Sequence, residues 1–159
     1  MLLPILKQPH PFLRGQSQRV DSILSDETQT LINNMQETMV AAEGIGLAGR
    51  QVGRDENIFL INNHGRIMVF VNPRIIYRSR QRQVGEEGCL SIPGVYGLVE
   101  RSKAVIVKYH DELGQLRLRR FKDLPAVVVQ HEYDHNRGVL FIDKVLEYTA
   151  GEDLIAEEK

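Results

Sequence analysis

Five consecutive residues in the last third of the sequence, His131-Glu132-Tyr133-Asp134-His135, have the types and spacing of a metal centre. On an α-helix, residues four apart share a face about one turn up, so both imidazoles can reach a single ion. Glu132, next to the first histidine, can then take a proton from water activated at that ion. The surrounding residues predict a helix from about Lys122 to Asn136. Leu124, Val127, Val128, His131 and His135 recur at spacings of three and four, and Gly138 just beyond is a stop signal. The competing reading of the motif alone is an amphipathic helix carrying two hydrogen-bonded core histidines.

A third ligand separates the possibilities. The extended zinc-protease pattern asks for a glycine three residues past the second histidine and a third histidine three further on. Gly138 meets the first requirement, but position 141 is Phe141 and no histidine follows His135. The remaining downstream acids, Glu147, Glu152, Asp153, Glu157 and Glu158, fall in a short polar tail, which leaves the protease reading weak. Upstream, the only cysteine stands in Glu87-Gly88-Cys89-Leu90-Ser91. A thiolate completes a set of two histidines and one cysteine with a fourth position open to water, the arrangement of a catalytic rather than a structural site.

Three motifs in this order, Gly44-Ile45-Gly46-Leu47-Ala48-Gly49-Arg50-Gln51, then Glu87-Gly88-Cys89-Leu90-Ser91, then Gln130-His131-Glu132-Tyr133-Asp134-His135, resemble the peptide deformylase family over nearly the whole chain. The resemblance implies a hydrolase that removes the N-formyl group from the starting methionine of newly made polypeptides and releases formate. It implies one divalent ion on Cys89, His131 and His135, with Fe²⁺ expected and Zn²⁺, Ni²⁺ or Co²⁺ possible in a purified sample. Glu132 would serve as the base, and the Gln51 amide and the Leu90 backbone N–H would meet the developing oxyanion. The methionine side chain would enter a pocket of Ile45, Leu124, Val127 and Val128, with His131 at its edge. The backbone near Gly46 and Gly88 would bond the extended substrate, and Glu87 would orient a metal ligand. The implied partners are N-formylmethionyl nascent peptides and a transient ribosome contact, with no membrane and no direct DNA binding. Some members dock through a basic C-terminal helix; the acidic tail here does not support that contact.

Three positions depart from the family pattern, and Arg50 fills a position that varies within it. Gly49 stands where alanine is usual; the missing methyl is expected to loosen the loop, and restoring it to be neutral or mildly stabilising. Arg50 is expected to face outward. Asn136 replaces the leucine common after the second histidine, and His10 stands where an aspartate is frequent. Two other classes stay open beside the enzyme: a structural metal protein with a closed site of four ligands, and an inactive relative that binds formylated ends without cleaving them.

The elements that must position these residues point to an α+β fold, with antiparallel strands around the central metal-binding helix and an N-terminal helix beside it. At 159 residues and 42% hydrophobic, the sequence suits a single catalytic domain over 1–159 without disulfides. A formal charge of -1 gives no overall pull toward nucleic acid or membrane. The short N-terminal apolar run, soon interrupted by Lys7, His10 and Arg14, is not expected to act as a signal peptide, and one cysteine suits a reducing cytoplasm, an organelle form after loss of a targeting segment being left open. Residues 4 to 14, with three prolines, must run extended or in turns. A helix is predicted from Asp26 to Ala42, capped by Ser25 or Asp26, and Gly44 and Gly46 open a loop. Ile58 to Ile61 and Ile67 to Val71 read as a hairpin that Pro73 interrupts, with Arg78, Arg80 and Arg82 read as a solvated strand edge ahead of the alternative, a patch that touches ribosomal RNA. Ser91 to Gly97 reads as loop and Leu98 to Arg101 as strand. Lys103 to His110 and Gln115 to Phe121 form a second hairpin, Val139 to Asp143 a last strand, and Tyr148 to Lys159 a tail.

Overall fold

The structure, a computed structural model, describes residues 1–156; Glu157, Glu158 and Lys159 of the expected tail lie outside the described residues. The run Ile58-Phe59-Leu60-Ile61 explains the main architecture. All four side chains are buried, so the strand that carries them must be covered on both faces. That strand is β2 (Ile58–Asn63), within a five-stranded antiparallel sheet ordered β1 (Gly46–Ala48), β2, β3 (Arg66–Arg78), β6 (Ala104–His110) and β7 (Leu116–Lys122). Ile58 and Leu60 pack with Leu31, Ile32, Met35 and Met39 of helix α1 (Asp26–Ala41). Phe59 and Ile61 point the other way, into a core with Ala126, Val128 and Val129 of helix α2 (Asp123–His135). Beneath α2, Phe59, Phe70 and Tyr109 stack across three neighbouring strands with ring centroids 4.6 and 4.3 Å apart.

A second, three-stranded sheet has the order β4 (Arg82–Cys89), β5 (Ile92–Ser102) and β8 (Val145–Ala150). Cys89 pairs with Ile92, so Leu90 and Ser91 form the tip of a tight hairpin. The stretch expected as loop, Ser91 to Gly97, is thus mostly strand. A register shift between Glu87 and Cys89 lets the ladder accommodate Pro93 and the glycines. The expected strand over Val139–Asp143 is instead a turn. Adjacent Leu140 and Phe141 are both buried, and the Asp143 carboxylate accepts from the Leu140 N–H at 3.0 Å, closing a 3-10 turn. The last strand starts at Val145, so Tyr148 belongs to a sheet rather than to a tail, and a short helix α3 (Glu152–Ala156) follows.

Pro73 does not end β3. Asn72 takes a left-handed φ of 50°, its side chain bonds both backbone groups of Val20 at 2.8 Å, and the strand resumes after a bulge. Helix α1 begins as expected, with the Ser25 hydroxyl accepting from the Thr28 N–H. Its left-handed exit is Glu43 rather than Gly44, at a φ of 56°. Helix α2 lies within one residue of its expected span, and Gly138 ends it at a φ of 76° with its N–H on the His135 carbonyl.

Arg50 corrects an expectation. It is buried rather than outward-facing, its guanidinium 3.8 Å over the Phe12 ring and donating to the Phe12 and Gln16 carbonyls. Gly15 leaves room for it, since a Cβ there would overlap the guanidinium.

Candidate metal centre and substrate cavity

The two sheets and α2 converge on the three ligand candidates. One turn of α2 places the ring nitrogens Nε2 of His131 and His135 3.2 Å apart. The β4–β5 hairpin brings the Cys89 Sγ to 3.3 Å from His135 Nε2. One donor atom from each residue lies within 4.8 Å of the other two, a spacing that suits a single ion. The donor types agree: two imidazoles and a cysteine sulfur suit a divalent transition metal. His135 Nδ1 and Glu132 Oε2 are buried with no hydrogen-bond partner among the described residues, which marks the centre as polar ground reserved for more than packing.

A buried ion network supports His131. Glu87 Oε1 lies 2.8 Å from His131 Nδ1, and Arg101 donates to both Glu87 oxygens at 2.9 Å. Arg101 also reaches Asp134 at 2.6 Å, and Lys144 meets the same Asp134 oxygen at 2.8 Å. Burial opposes the charge on Glu87, but its bonds from Arg101 and His131 prevail and hold its carboxyl at about 2. Burial also opposes a charge on His131, yet Cys89 and Glu87 raise it well above the usual imidazole value. Burial and the charge of His131 push His135 well below it.

Glu132 faces the cavity from the same helix turn. Burial, reinforced by the Glu87 charge, pushes its carboxyl up to about 7 against the pull of His131 and Arg101. A carboxyl poised there can accept a proton and return it at neutral pH. Gly46 makes room for it, because a Cβ there would overlap the Glu132 carboxylate.

Gln51 is 1% exposed and fixed on two sides. Its Oε1 accepts from the Ala48 N–H at 2.9 Å, and its Nε2 donates to Ser91 Oγ at 3.1 Å while lying 3.5 Å from Cys89 Sγ. The expected loosening at Gly49 does not occur. Gly49–Val52 is a buried 3-10 turn, and a Cβ on Gly49 would stand 2.8 Å from the Glu56 carbonyl oxygen. Asn136, the other departure, is buried and donates to the Ile58 carbonyl at 3.0 Å, tying the end of α2 to the start of β2.

A cavity of about 610 Å³ opens over the centre. It brings together Ile45, Gly46, Gln51, Glu87, Gly88, Cys89, Leu90, Leu124, Val127, Val128, His131 and Glu132, every sequence-derived site residue except His135, which lies behind them at 1% exposure. Ile45 and Leu124 stand exposed at its rim. Glu87 borders it with its carboxylate committed to His131 and Arg101. The sequence reading missed several contributors. Arg101 comes from β5, with no local signal, through the register that sets Gln83 opposite it. Asp134 was visible inside the motif as an unassigned acid on the ligand helix. Tyr96 lies against the backbone of Gly88, where a Cβ would stand 2.5 Å from its ring. Lys7 reaches across to the Leu90 carbonyl at 2.7 Å.

An α+β frame that sets a cysteine and two helical histidines together at the floor of one open cavity, with a raised carboxyl facing it, defines a metal-dependent hydrolase. Comparison with known proteins narrows the class. The Polypeptide deformylase family profile matches residues 2–150. The peptide deformylase of Pseudothermotoga lettingae is 48% identical over 135 residues, 85% of this chain and 78% of that protein. A peptide deformylase from Synechococcus elongatus, solved with actinonin, is 38% identical with a TM-score of 0.89, covering 98% of this chain and 82% of that one. The class I type b enzyme of Acinetobacter baumannii, solved with Met-Ala-Ser bound, is 32% identical with a TM-score of 0.87 over 91% of this chain and 99% of that one. This chain belongs to the peptide deformylase family, the enzymes that take the N-formyl group from newly made polypeptides.

Proposed function

We propose that the chain performs this hydrolysis with Cys89, His131 and His135 as metal ligands and Glu132 as the proton carrier. A divalent ion on those three residues supplies Lewis acidity, lowering the pKa of attacking water toward neutrality. Glu132 takes the proton of the attacking water and hands it to the amine nitrogen as the formyl C–N bond breaks, so that formate and a free N-terminus leave. The observation that carries this assignment is the buried, unpartnered Oε2 of Glu132 beside the three donors, on a carboxyl raised to about 7. Gln51 turns its Nε2 toward Cys89 because its oxygen is already engaged by Ala48, and with the Leu90 backbone N–H it supports the carbonyl oxygen as negative charge develops.

Ile45, Leu124, Val127 and Val128 receive the methionine side chain, whose flexible thioether adapts to such a lining. The β1 backbone at Gly46 and the β4 backbone at Gly88 flank the peptide as an added strand. Glu87 acts through His131 rather than on substrate, fixing the ring that Nδ1 belongs to. Fe²⁺ is the metal we expect in the cell, with Zn²⁺, Ni²⁺ or Co²⁺ able to replace it. The substrate is the formylated end of a nascent chain, which sets the enzyme in transient contact with the ribosome. A thiolate ligand suits the reducing cytoplasm.

The test is formate release from a formyl-Met peptide by protein loaded with freshly reduced Fe²⁺, beside the acetyl-Met peptide. Release from the formyl peptide alone is expected. Peptide binding without formate would identify an inactive relative, and neither binding nor formate a structural metal protein.

A further inference from the structure

The near-neutral total charge of this chain conceals a strong segregation. The three adjacent strands β3, β6 and β7 hold eight of its 20 lysines and arginines and no aspartate or glutamate. Pairing sorts them by face. Val105, Val107, Tyr109 and Phe121 point inward under α2. On the opposite face Arg74 stands across from Lys108, and Ile106 lies between Tyr77 on one side and Arg120 on the other. Helix α1 covers only the start of this face, where Val69 and Val71 are buried; past Asn72 it lies open among the described residues, with Tyr77 49% and Leu118 64% exposed.

At its end the sheet opens into a groove of about 550 Å³ bordered by Arg78, Arg80, Lys103, Arg120 and Lys122 with Tyr77. Lys103 has a carboxylate neighbour in Asp123 at 4.0 Å, and nearby Arg82 has Glu100 at 3.8 Å. Arg74, Arg80, Lys108, Arg120 and Lys122 have none among the described residues. Like charges crowded on an open sheet cost stability unless a polyanion lies over them.

We propose that this face and its groove bind the phosphate backbone of structured RNA. Arginine dominates over lysine here, as suits forked bonds to phosphate oxygens and stacking on bases, and Tyr77 offers a ring among the cations. The groove fits a raised phosphate strand, and the exposed apolar residues are interspersed with charges rather than gathered into the continuous patch a lipid surface requires. Lys122 leads directly into α2, whose Leu124 stands at the catalytic cavity, so a bound RNA flanks the mouth where the nascent peptide enters. The proposal goes beyond the hydrolase reading and stands on charge placement alone.

The test is fluorescence anisotropy of the metal-loaded enzyme with a labelled RNA hairpin at several salt concentrations. With about four phosphates engaged, affinity should fall roughly a hundredfold between 50 and 200 mM salt. The Arg80→Glu/Arg120→Glu/Lys122→Glu protein should bind at least about tenfold more weakly with a shallower salt slope. It should release formate from a short formylated peptide at the wild-type rate, so the two readings fail separately. Arg80→Gln/Arg120→Gln should give a smaller loss in the same direction, which serves if charge reversal disturbs folding. Arg19→Glu, outside the three strands and the groove and paired with Asp21 at 3.7 Å, should bind as wild type. Unchanged RNA affinity in both face variants would overturn the proposal. So would binding to anionic phospholipid vesicles without RNA binding, or an equal loss in Arg19→Glu.

Discussion

Arg101→Met probes the network behind the proposed metal ligands. Arg101 is 3% exposed and makes three short bonds, two to Glu87 and one to Asp134. Methionine keeps the stem and removes the charge, leaving two buried carboxylates with less compensation: Asp134 retains Lys144, and Glu87 retains only His131. Breaking a buried pair in this way costs about 3–5 kcal/mol. For a chain of this size that lowers the melting temperature by roughly 6–20 °C. The loss should depend on pH in a defined direction. In the wild type Glu87 sits at about 2, below its usual 4.5, so its stabilisation is complete above 4.5 and disappears as pH falls toward 2. In the variant, burial acts on Glu87 without Arg101 to oppose it and raises its folded pKa above the unfolded value. The charged carboxylate then destabilises the variant most at neutral pH. Urea unfolding of Ni²⁺-loaded wild type and variant at pH 7.5 and 5.5, with metal content checked at each, should show a gap that narrows at the lower pH. A loss below about 1 kcal/mol, or the same loss at both pH values, would refute the role given to this network.

Four further outcomes are expected. Cys89→Ala should lose metal by elemental analysis, and in the wild type peroxide should inactivate the Fe²⁺ form faster than the Ni²⁺ form, because oxidation at iron opens the thiolate to further oxidation. Gly49→Ala should destabilise by about 1–3 kcal/mol in thermal unfolding, the added methyl pressing on the rigid Glu56 carbonyl. Asn136→Leu should cost about 1–3 kcal/mol by leaving the buried Ile58 carbonyl without the donor it now has.

The candidate donor cluster was legible because its motifs are local. Two histidines one turn apart, a glutamate between them and a cysteine in a short motif announce themselves by type and spacing alone. Helix α2 and strand β2 were legible for the same reason, their apolar periodicity being set within each element. What lay beyond reach depends on pairing between distant segments. The Ser91–Gly97 stretch has the proline and glycines of a loop, yet it is strand because β4 lies beside it. Val139–Asp143 has the composition of a strand, yet two adjacent buried residues and the Asp143 cap fold it into a turn. Arg50 is an ordinary exposed residue in sequence, and only the return of residues 12–16 past it supplies the ring and carbonyls that hold it inside. Arg101 is of the same kind: its role exists only where β5 passes α2.

The assignment of Glu132 is tested most directly by measuring metal content and formate release on the same samples of wild type and Glu132→Ala. Glu132 sits beside the proposed ligand His131, and its Oε2 has no partner among the described residues, so the variant should keep its fold and one equivalent of metal while losing nearly all turnover of a formyl-Met peptide. Loss of the metal together with the side chain, or turnover near the wild-type rate with the metal retained, would contradict the account.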